Sequence, residues 1–504
     1  MSTSPSLTNT IVKNASANLV RLAGAGVIAL LLPPFLVREL SKDAYGAWSL
    51  LLQLTLYVGY LDFGIQTAVS RFVAHAEELG DNKQRDGVVS TAFVMLSVAA
   101  LLGCALVVVL AWQLPNLFRQ MPSALYQPAQ IALLFMGTSF ALGLPVSVIH
   151  AMFIGLQRNE VPAAVAIANK IAMASLVAGV VLKHWGLAAM GASVAVANVL
   201  SYAGALIAWR AWAARVRIHL AQASRAYVRQ IGGYSASVVV WMIAMLMISG
   251  LDLSIVGMFD YKMTAYYAIA ATLTNFVAQA QGAIFSALLP ASAVLGARGD
   301  GERLGVMLVS STRYGVLILL AMALPLVIAG HSIIRIWAGA EYAQHATMIL
   351  QVLVVANVIR LCALPYSTLL LGTGQQKKVI ASPLAEGITN LLASVAGAYL
   401  LGAIGVALGT LIGAVVSVAL HLFYNMPRTA LIAIDRLHLV KEGLLRPSIC
   451  ALPFVFLLVV RPAEDFSEYI LLITMAAVAA VLLFWNFGLL RSERQRLAHA
   501  LRLS

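Results

Sequence analysis

The chain has 504 residues, of which 61% are hydrophobic and only 11% are charged, and its mean hydropathy is +0.89. A soluble protein of this length needs far more polar surface, so the composition excludes one and predicts an all-α polytopic membrane protein. The net charge of +13 indicates basic loops beside anionic lipid headgroups rather than a nucleic-acid partner.

Fourteen apolar segments follow one another along the chain, and all but 447–461 are long enough to cross a bilayer as a helix. The segments lie near residues 17–38, 45–70, 88–113, 128–153, 161–182, 186–208, 232–257, 264–290, 310–330, 345–371, 379–400, 402–424, 447–461 and 468–490. Because residues 1–12 are polar and the first apolar run is long, we expect that run to stay as a signal anchor.

A basic stretch, residues 210–229, separates two similar blocks of six segments and carries five arginines without an acidic residue. The matching positions, each pair 221 residues apart, are Tyr45 and Tyr266, Pro162 and Pro383, and Asn169 and Asn390. This offset predicts a duplicated half-molecule; the alternative is that apolar segments resemble one another through composition alone. The predicted parts are a first six-helix lobe (1–209), a basic linker (210–231), a second six-helix lobe (232–425) and an extra helix pair with a basic tail (426–504).

The distribution of Lys and Arg predicts the orientation of the segments. With the N-terminus inside, the inside loops hold 21 of these cations and the outside loops hold 7. We therefore expect both termini in the cytoplasm. Because the loops are short on both faces, we expect no soluble catalytic domain.

Five cations lie within the apolar segments, where charge is costly and therefore a candidate for function. They are Arg21, Arg71, Lys170, Arg313 and Arg360. Arg71 and Arg313 lie near cytoplasmic ends, where a side chain can also reach the interface without any role in binding, and Arg21 is about one turn deeper. Lys170 and Arg360 lie well inside their segments, which favours a functional role.

Polar residues also recur at helical spacing within the segments. In the second segment Gln53, Tyr57, Tyr60, Gly64, Thr67 and Arg71 step by four and three residues, which predicts an unbroken polar stripe of five turns. The first segment carries Asn18 on the face of Arg21, and the eighth repeats the device with Asn275 and Gln279. We expect these stripes to face a wet cavity; hydrogen bonding between helices is the alternative.

Acidic and amide side chains within the segments are candidates for coupling transport to an ion gradient. They are Asp62, Asp252, Glu386 and Asn390. A buried carboxylate such as Glu386 can carry a proton through a transport cycle. The alternative is that these acids neutralise the neighbouring cations and hold the bundle together.

The sequence contains no motif for catalysis, nucleotide binding or metal binding, so we expect no enzyme, cofactor or metal site. The three cysteines all lie in apolar runs without ligand spacing. The energy for any transport then has to come from a gradient, with H+ and Na+ as the candidates, or from substrate flux.

Several stretches resemble the polysaccharide-biosynthesis flippases, the Wzx-type members of the MOP superfamily, which also holds the MATE antiporters and lipid II flippases. The stretch LDFGIQTAVSRFVA (61–74) resembles the signature of their second segment, and LDLSIVGMFDYKMTAYYAIAATL (251–273) resembles the pattern of segments seven and eight. IIRIWAGAEYAQHATMILQVL (333–353) and LLLGTGQQKK (369–378) resemble the second-half pattern, with GLQRN (155–159) as the first-half counterpart. One departure is that Leu253 follows Asp252, where the family often has Lys, and this puts a salt-bridging or ligand role for that position in doubt.

The resemblance implies two six-helix lobes forming a V around a central cavity in the bacterial inner membrane. The implied substrate is an oligosaccharide on polyprenyl pyrophosphate, moved from the cytoplasmic to the periplasmic leaflet for O-antigen, capsule or exopolysaccharide synthesis. Membrane lipids, a glycan polymerase and chain-length machinery are the implied partners. The competing hypotheses are a cation-coupled multidrug antiporter, a membrane glycosyltransferase or polymerase, and a non-transporting scaffold.

Overall fold

A computed structural model of the chain describes residues 26–460 and 466–488, and in these residues the secondary structure is helical without a strand. The first helix, α1, covers the described residues 26–39. The next helices are α2 (Lys42–Gly59), α3 (Ile65–Glu78), α4 (Asn82–Leu117), α5 (Ser123–Gly155), α6 (Glu160–Leu182), α7 (Gly186–Trp212), α8 (Arg225–Met245) and α9 (Asp252–Phe259). They are followed by α10 (Thr264–Phe285), α11 (Leu288–Ala297), α12 (Gly301–Ile328), α13 (Gly330–Ala338), α14 (Ala340–Leu361), α15 (Leu364–Gly372) and α16 (Ala381–Leu420). The last are α17 (Arg436–His438), α18 (Arg446–Ser448), α19 (Leu452–Val460) and α20 (Phe466–Leu483).

The chain divides into two units by its internal contacts. The first unit comprises the described residues up to Thr272, with Trp337–Gly339 and Leu391–Gly409. The second comprises Leu273–Ile336, Ala340–Asn390 and the described residues from Thr410 onward. The predicted boundaries of the two repeated lobes stay a prediction.

The prediction of a polytopic helical membrane fold is confirmed, while its number of spans is not fixed. Within the described residues, seven helices are long and apolar enough to cross a bilayer, or nine if two bent helix pairs each count as one span. The first predicted segment begins at residue 17, which lies outside the described residues. The count of fourteen therefore stays a prediction.

The second predicted segment is two helices, so the prediction of an unbroken stripe from Gln53 to Arg71 is wrong. Phe63 and Gly64, between α2 and α3, have φ values of 49° and 72°. These left-handed conformations cannot continue a right-handed helix. Residues on either side of the break consequently do not share one continuous helix face.

Gly402 interrupts α16 in a similar way. Its φ of 62° and ψ of −140° depart from helical geometry. Beside it, the backbone N–H of Ala403 donates to the Asp260 carboxylate at 3.3 Å. This interruption falls where the sequence predicts the boundary between two segments.

Small residues allow close helix packing in the first unit. A Cβ atom on Gly191 of α7 would lie 2.5 Å from the Cα atom of Ala132 on α5. A Cβ atom on Gly137 of α5 would lie 2.6 Å from the side chain of Val107 on α4. Close backbone approach of this kind is what joins helices where lipid replaces water.

In the first unit, loops that the sequence assigns to the same side of the membrane contact one another. The Tyr261 hydroxyl donates to the Asp43 carbonyl at 2.8 Å, and the Gln120 amide donates to the Phe259 carbonyl at 2.9 Å. These residues all belong to predicted periplasmic loops. These contacts place the three loops on the same side of the first unit, and whether that side faces the periplasm stays a prediction.

We predict that single cysteines at Lys83 and Arg217 are inaccessible to a membrane-impermeant reagent in intact cells, whereas those at Arg119 and Lys262 react. The reason is the excess of Lys and Arg in the first pair of loops. The assay needs a background without Cys104, Cys362 and Cys450, which are free thiols. Labelling at Arg217 from outside would overturn the orientation.

Candidate functional site: buried ionic and polar groups of the two units

In the second unit, Arg360 and Glu386 form a buried ion pair. The Arg360 Nε donates to Glu386 Oε1 at 2.8 Å, and the two side chains are only 17% and 9% exposed. The Nη2 amino group of Arg360 is buried and has no hydrogen-bond acceptor among the described residues. The pair therefore neutralises the guanidinium but leaves part of its donor capacity unused.

The positions of both residues along their helices suit this pair. Arg360 lies in the last turn of α14, where helix carbonyl groups favour a positive charge. Glu386 lies in the second turn of α16. Because the two helices are separated by α15 and the turn after it, the pairing depends on the fold and not on local spacing.

Arg313, also in the second unit, is completely buried in α12, and its guanidinium lies 5.7 Å from the ring of Tyr314. α12 packs here against the turn Leu439–Leu445, where a Cβ atom on Gly443 would lie 3.3 Å from the side chain of Thr312. Arg446, the first residue of α18, donates to Glu442 of that turn at 2.5 Å, and this hydrogen bond lowers the pKa of the Glu442 carboxyl. The burial of Arg313 places it inside the helix packing and away from the surface.

The other predicted cations lie elsewhere. Arg71 is exposed on α3, with its guanidinium 5.0 Å from the ring centre of Tyr234 on α8, close enough for a cation–π contact. Lys170 is exposed on α6. Arg21 and Asn18 lie outside the described residues. The predicted convergence of the five cations stays a prediction.

Gln53 and Tyr57 of the predicted stripe bind a neighbouring helix. The Gln53 amide and the Tyr57 hydroxyl both donate to the Gly250 carbonyl, the latter at 2.8 Å. The Tyr57 hydroxyl also lies 2.6 Å from the hydroxyl of Ser254. Gly250 ends a π-helical turn, Leu246–Gly250, and such turns are common at functional sites. For these two residues the structure shows the interhelical bonding that the sequence left as the alternative.

The rest of the stripe is more open. Tyr60 is half-buried, and Thr67 is exposed on α3 beyond the break. Asn275 and Gln279 are exposed on α10 in the second unit. These exposed side chains keep the capacity to contact a polar ligand.

Two of the predicted coupling residues lie in the first unit. Asp62 is buried and accepts a hydrogen bond from the backbone N–H of Gln66 at 3.3 Å, so it satisfies one of the N–H groups that the first turn of α3 leaves free. Asp252 is buried at the start of α9, where the hydroxyl of Tyr267 donates to it at 3.5 Å.

The fourth coupling candidate, Asn390, lies on α16 in the second unit. Its side chain is completely buried. A Cβ atom on Gly413 would lie 2.8 Å from its Cβ atom, so the two residues lie in close contact.

Sequence reasoning missed Tyr234, Ser254 and Tyr267, which contact predicted site residues. It also gave no sign that Arg85, between the second and third predicted segments, is buried. The Ser-Gly-Leu-Asp sequence at 249–252 was the available signal for the break between α8 and α9. Among the described residues, no group of three or more His, Cys, Asp or Glu side chains is placed to hold a metal ion.

Comparison with known proteins agrees with this architecture. Residues 11–295 match the family described as "Polysaccharide biosynthesis protein". No curated protein matches the chain significantly by sequence.

Solved structures show the same fold. The lipid II flippase MurJ, in an inward closed conformation, is similar with a TM-score of 0.70 at 12% identity, covering 94% of this chain and 98% of that one. An inward-facing multidrug resistance MATE transporter of the MOP superfamily has a TM-score of 0.65 at 16% identity, covering 82% of this chain and 98% of that one. A MOP superfamily transporter from Pyrococcus furiosus has a TM-score of 0.58 at 16% identity, covering 85% and 96%.

The matched region covers more than half of the chain and includes Gln53, Tyr57, Arg71 and Asp252. The resemblance found in the sequence is thereby confirmed. The chain is a multi-pass membrane protein with the MOP transporter fold, and it belongs to the polysaccharide biosynthesis protein family.

Proposed function

We propose that the protein is a flippase for oligosaccharide repeat units carried on polyprenyl pyrophosphate. It moves them by alternating access from the cytoplasmic to the periplasmic leaflet of the bacterial inner membrane, with both of its own termini in the cytoplasm. The product feeds the synthesis of O-antigen, capsule or exopolysaccharide, beside a glycan polymerase and chain-length machinery. The observation that carries this proposal is the family match over residues 11–295. The fold shared with a protein named as a lipid II flippase supports it.

The chemistry of Arg360 supports an anionic substrate. A pyrophosphate cannot cross about 30 Å of hydrocarbon without partners for its charge. A guanidinium stays charged when it is desolvated and binds phosphate oxygens at two points. Arg360 already has a buried Nη2 group that lacks an acceptor in the part of the chain that the structure describes. Arg21, Arg71, Lys170 and Arg313 are the further cations of the proposed site.

Glu386 gives this site a resident counter-ion. When no substrate is bound, its carboxylate neutralises Arg360. When a diphosphate takes the guanidinium, the buried carboxylate loses its partner, and such a group is costly unless a cation or a proton replaces it. Binding of the substrate anion to Arg360 thus favours uptake of H+ or Na+ at Glu386. This exchange is the proposed route of coupling.

The sugars of the repeat unit need hydrogen-bonding partners of their own. We assign this role to the exposed polar side chains Thr67, Asn275 and Gln279, with Tyr60 partly accessible. Gln53 and Tyr57 are engaged by Gly250, so they contribute only in a state where that contact opens.

The fold does not separate a flippase from a MATE-type antiporter, because both kinds of protein share it. The family match favours the flippase. A scaffold without transport activity is separated from both by the experiment that follows.

Deletion of the gene is expected to make a lipid-linked oligosaccharide accumulate on the cytoplasmic side, because synthesis continues while export stops. Lipid extraction followed by mass spectrometry measures the intermediate and identifies the glycan. Restored export with the wild-type gene, but not with the double variant R360Q/E386Q, supports the proposal. Normal surface glycan and no accumulation in the deletion strain would remove it.

A further inference from the structure

The basic linker between α7 and α8 follows a fixed path in the first unit. The side chains of Ala213 and Val216 are 1% and 0% exposed. The indole N–H of Trp209 donates to the Val216 carbonyl at 3.0 Å, which folds the linker back on the end of α7. Its first part is therefore packed onto the protein.

An ionic cluster at the junction of α3 and α4 holds the same part of the linker. Arg85 is buried and contacts Glu77 and Asp86, each at 3.0 Å, and donates to the Arg215 carbonyl at 3.0 Å. The Arg215 guanidinium contacts the other oxygen of Glu77 at 2.5 Å. Both acidic side chains of this cluster are thereby paired with arginine.

Two hydroxyl groups on α4 hold the second part of the linker. The backbone N–H of His219 donates to Ser90 at 3.0 Å, and that of Ser224 donates to Thr91 at 3.2 Å. Ser224 in turn caps α8 through the Tyr227 N–H. These bonds fix the backbone and leave the arginines of the linker outside the packing.

Four of these arginines remain exposed, and within the described residues they have no ion-pair or hydrogen-bond partner. They are Arg210, Arg217, Arg225 and Arg229. Apolar side chains are exposed between them: Trp212 is 58% exposed and Leu220 is 67% exposed. Exposed tryptophan beside arginine is typical of protein surfaces at the edge of a bilayer.

We infer that this linker is a binding surface for anionic phospholipid headgroups of the leaflet beside it. We call it the linker surface: Arg210 and Trp212 at the end of α7, Arg217 and Leu220 in the linker, and Arg225 and Arg229 at the start of α8. The helices on both sides of the linker are apolar and long enough, alone or as a bent pair, to cross the bilayer. The linker is therefore tethered at both ends beside the membrane. Unpaired cations there attract anionic headgroups, and Trp212 and Leu220 can enter the boundary of the acyl chains.

The surface favours lipid over a protein partner for two reasons. Its apolar residues are few and are separated by arginines, whereas a stable protein interface has a continuous apolar centre. Its cations are also held by a packed backbone beside the membrane surface, where lipid headgroups are always present. This inference does not depend on which substrate the protein transports.

The test is native mass spectrometry of the full-length purified protein in detergent, titrated with phosphatidylglycerol or phosphatidylcholine. The variant R210Q/R217Q/R225Q/R229Q removes the four charges. The control R38Q/R119Q/K262Q/R335Q removes four exposed charges from predicted periplasmic positions and changes the net charge equally. Thermal unfolding of both variants checks that they fold.

We expect the wild type and the control to bind phosphatidylglycerol in preference to phosphatidylcholine. The linker variant is expected to lose affinity for phosphatidylglycerol by at least about tenfold. If it does not fold, the double variants R210Q/R217Q and R225Q/R229Q replace it, each with an expected loss of at least about threefold.

Equal binding of phosphatidylglycerol by the linker variant and the wild type would overturn the inference. So would equal loss in the control, since that reflects net charge alone. If inorganic pyrophosphate binds to the linker surface and displaces phosphatidylglycerol from it, the surface would be reassigned to substrate capture.

Discussion

Neutralising both members of the buried pair, in the double variant R360Q/E386Q, is expected to give folded protein that no longer exports glycan. Without the Arg360 guanidinium the pyrophosphate loses charge-assisted hydrogen bonds worth about 1.5–3 kcal/mol each, so we expect at least a tenfold loss of transport. The measurement is the amount of lipid-linked oligosaccharide exported per molecule of folded protein.

The single variants separate binding from structural support. Arg360→Gln leaves the Glu386 carboxylate buried without its partner, which costs about 3–5 kcal/mol and should lower the amount of folded protein. Glu386→Gln keeps the guanidinium and should retain substrate binding while transport no longer responds to the ion gradient. Arg360→Lys should give partial export, because an ammonium keeps the charge without the two-point geometry. If the double variant folds and exports normally, the pair only stabilises the helix packing.

Replacing Arg21 by alanine is expected to abolish export at normal protein levels. Arg21 shares a predicted helix face with Asn18, and we propose that it contacts the pyrophosphate directly. Loss of one such contact predicts at least about a tenfold decrease in transport. Surface glycan and the cytoplasmic lipid-linked intermediate are measured together in cells.

Arg38→Ala is the matched control for Arg21. Arg38 lies near the end of α1 and is exposed, so its loss removes the same charge without touching the proposed site. Export should stay normal in this variant. Normal export in both Arg21→Ala and R360Q/E386Q would mean that a cationic site does not carry the substrate.

Composition and apolar periodicity predicted the membrane fold, because lipid forces helices wherever the chain crosses it. Short-range signals also located the break in α16 between two predicted segments. The break between α2 and α3 was missed, since Phe63 looks like any other apolar residue of a span. Only its left-handed backbone, with that of Gly64, ends the helix.

The candidate site was predicted in part. The residues Arg360 and Glu386 were both singled out as buried charges, but their pairing was one of several combinations. Helix packing decides which acid meets which cation, and sequence spacing carries no information about contact between two residues 26 positions apart on different segments. The hydrogen bonds that the Gly250 carbonyl accepts could not be predicted either, because a backbone carbonyl freed by a π-helical turn has no side-chain signature.

The central claim is that this protein moves an anionic, pyrophosphate-linked oligosaccharide across a membrane. Reconstitution of the purified chain into proteoliposomes, with labelled polyprenyl-pyrophosphate oligosaccharide in one leaflet, tests it most directly. An impermeant enzyme that cleaves the glycan reports the fraction that reaches the other leaflet. We predict rapid transfer with the wild type and none above protein-free vesicles with R360Q/E386Q. Transfer no faster than in protein-free vesicles for the wild type, under either an H+ or an Na+ gradient, would contradict the claim.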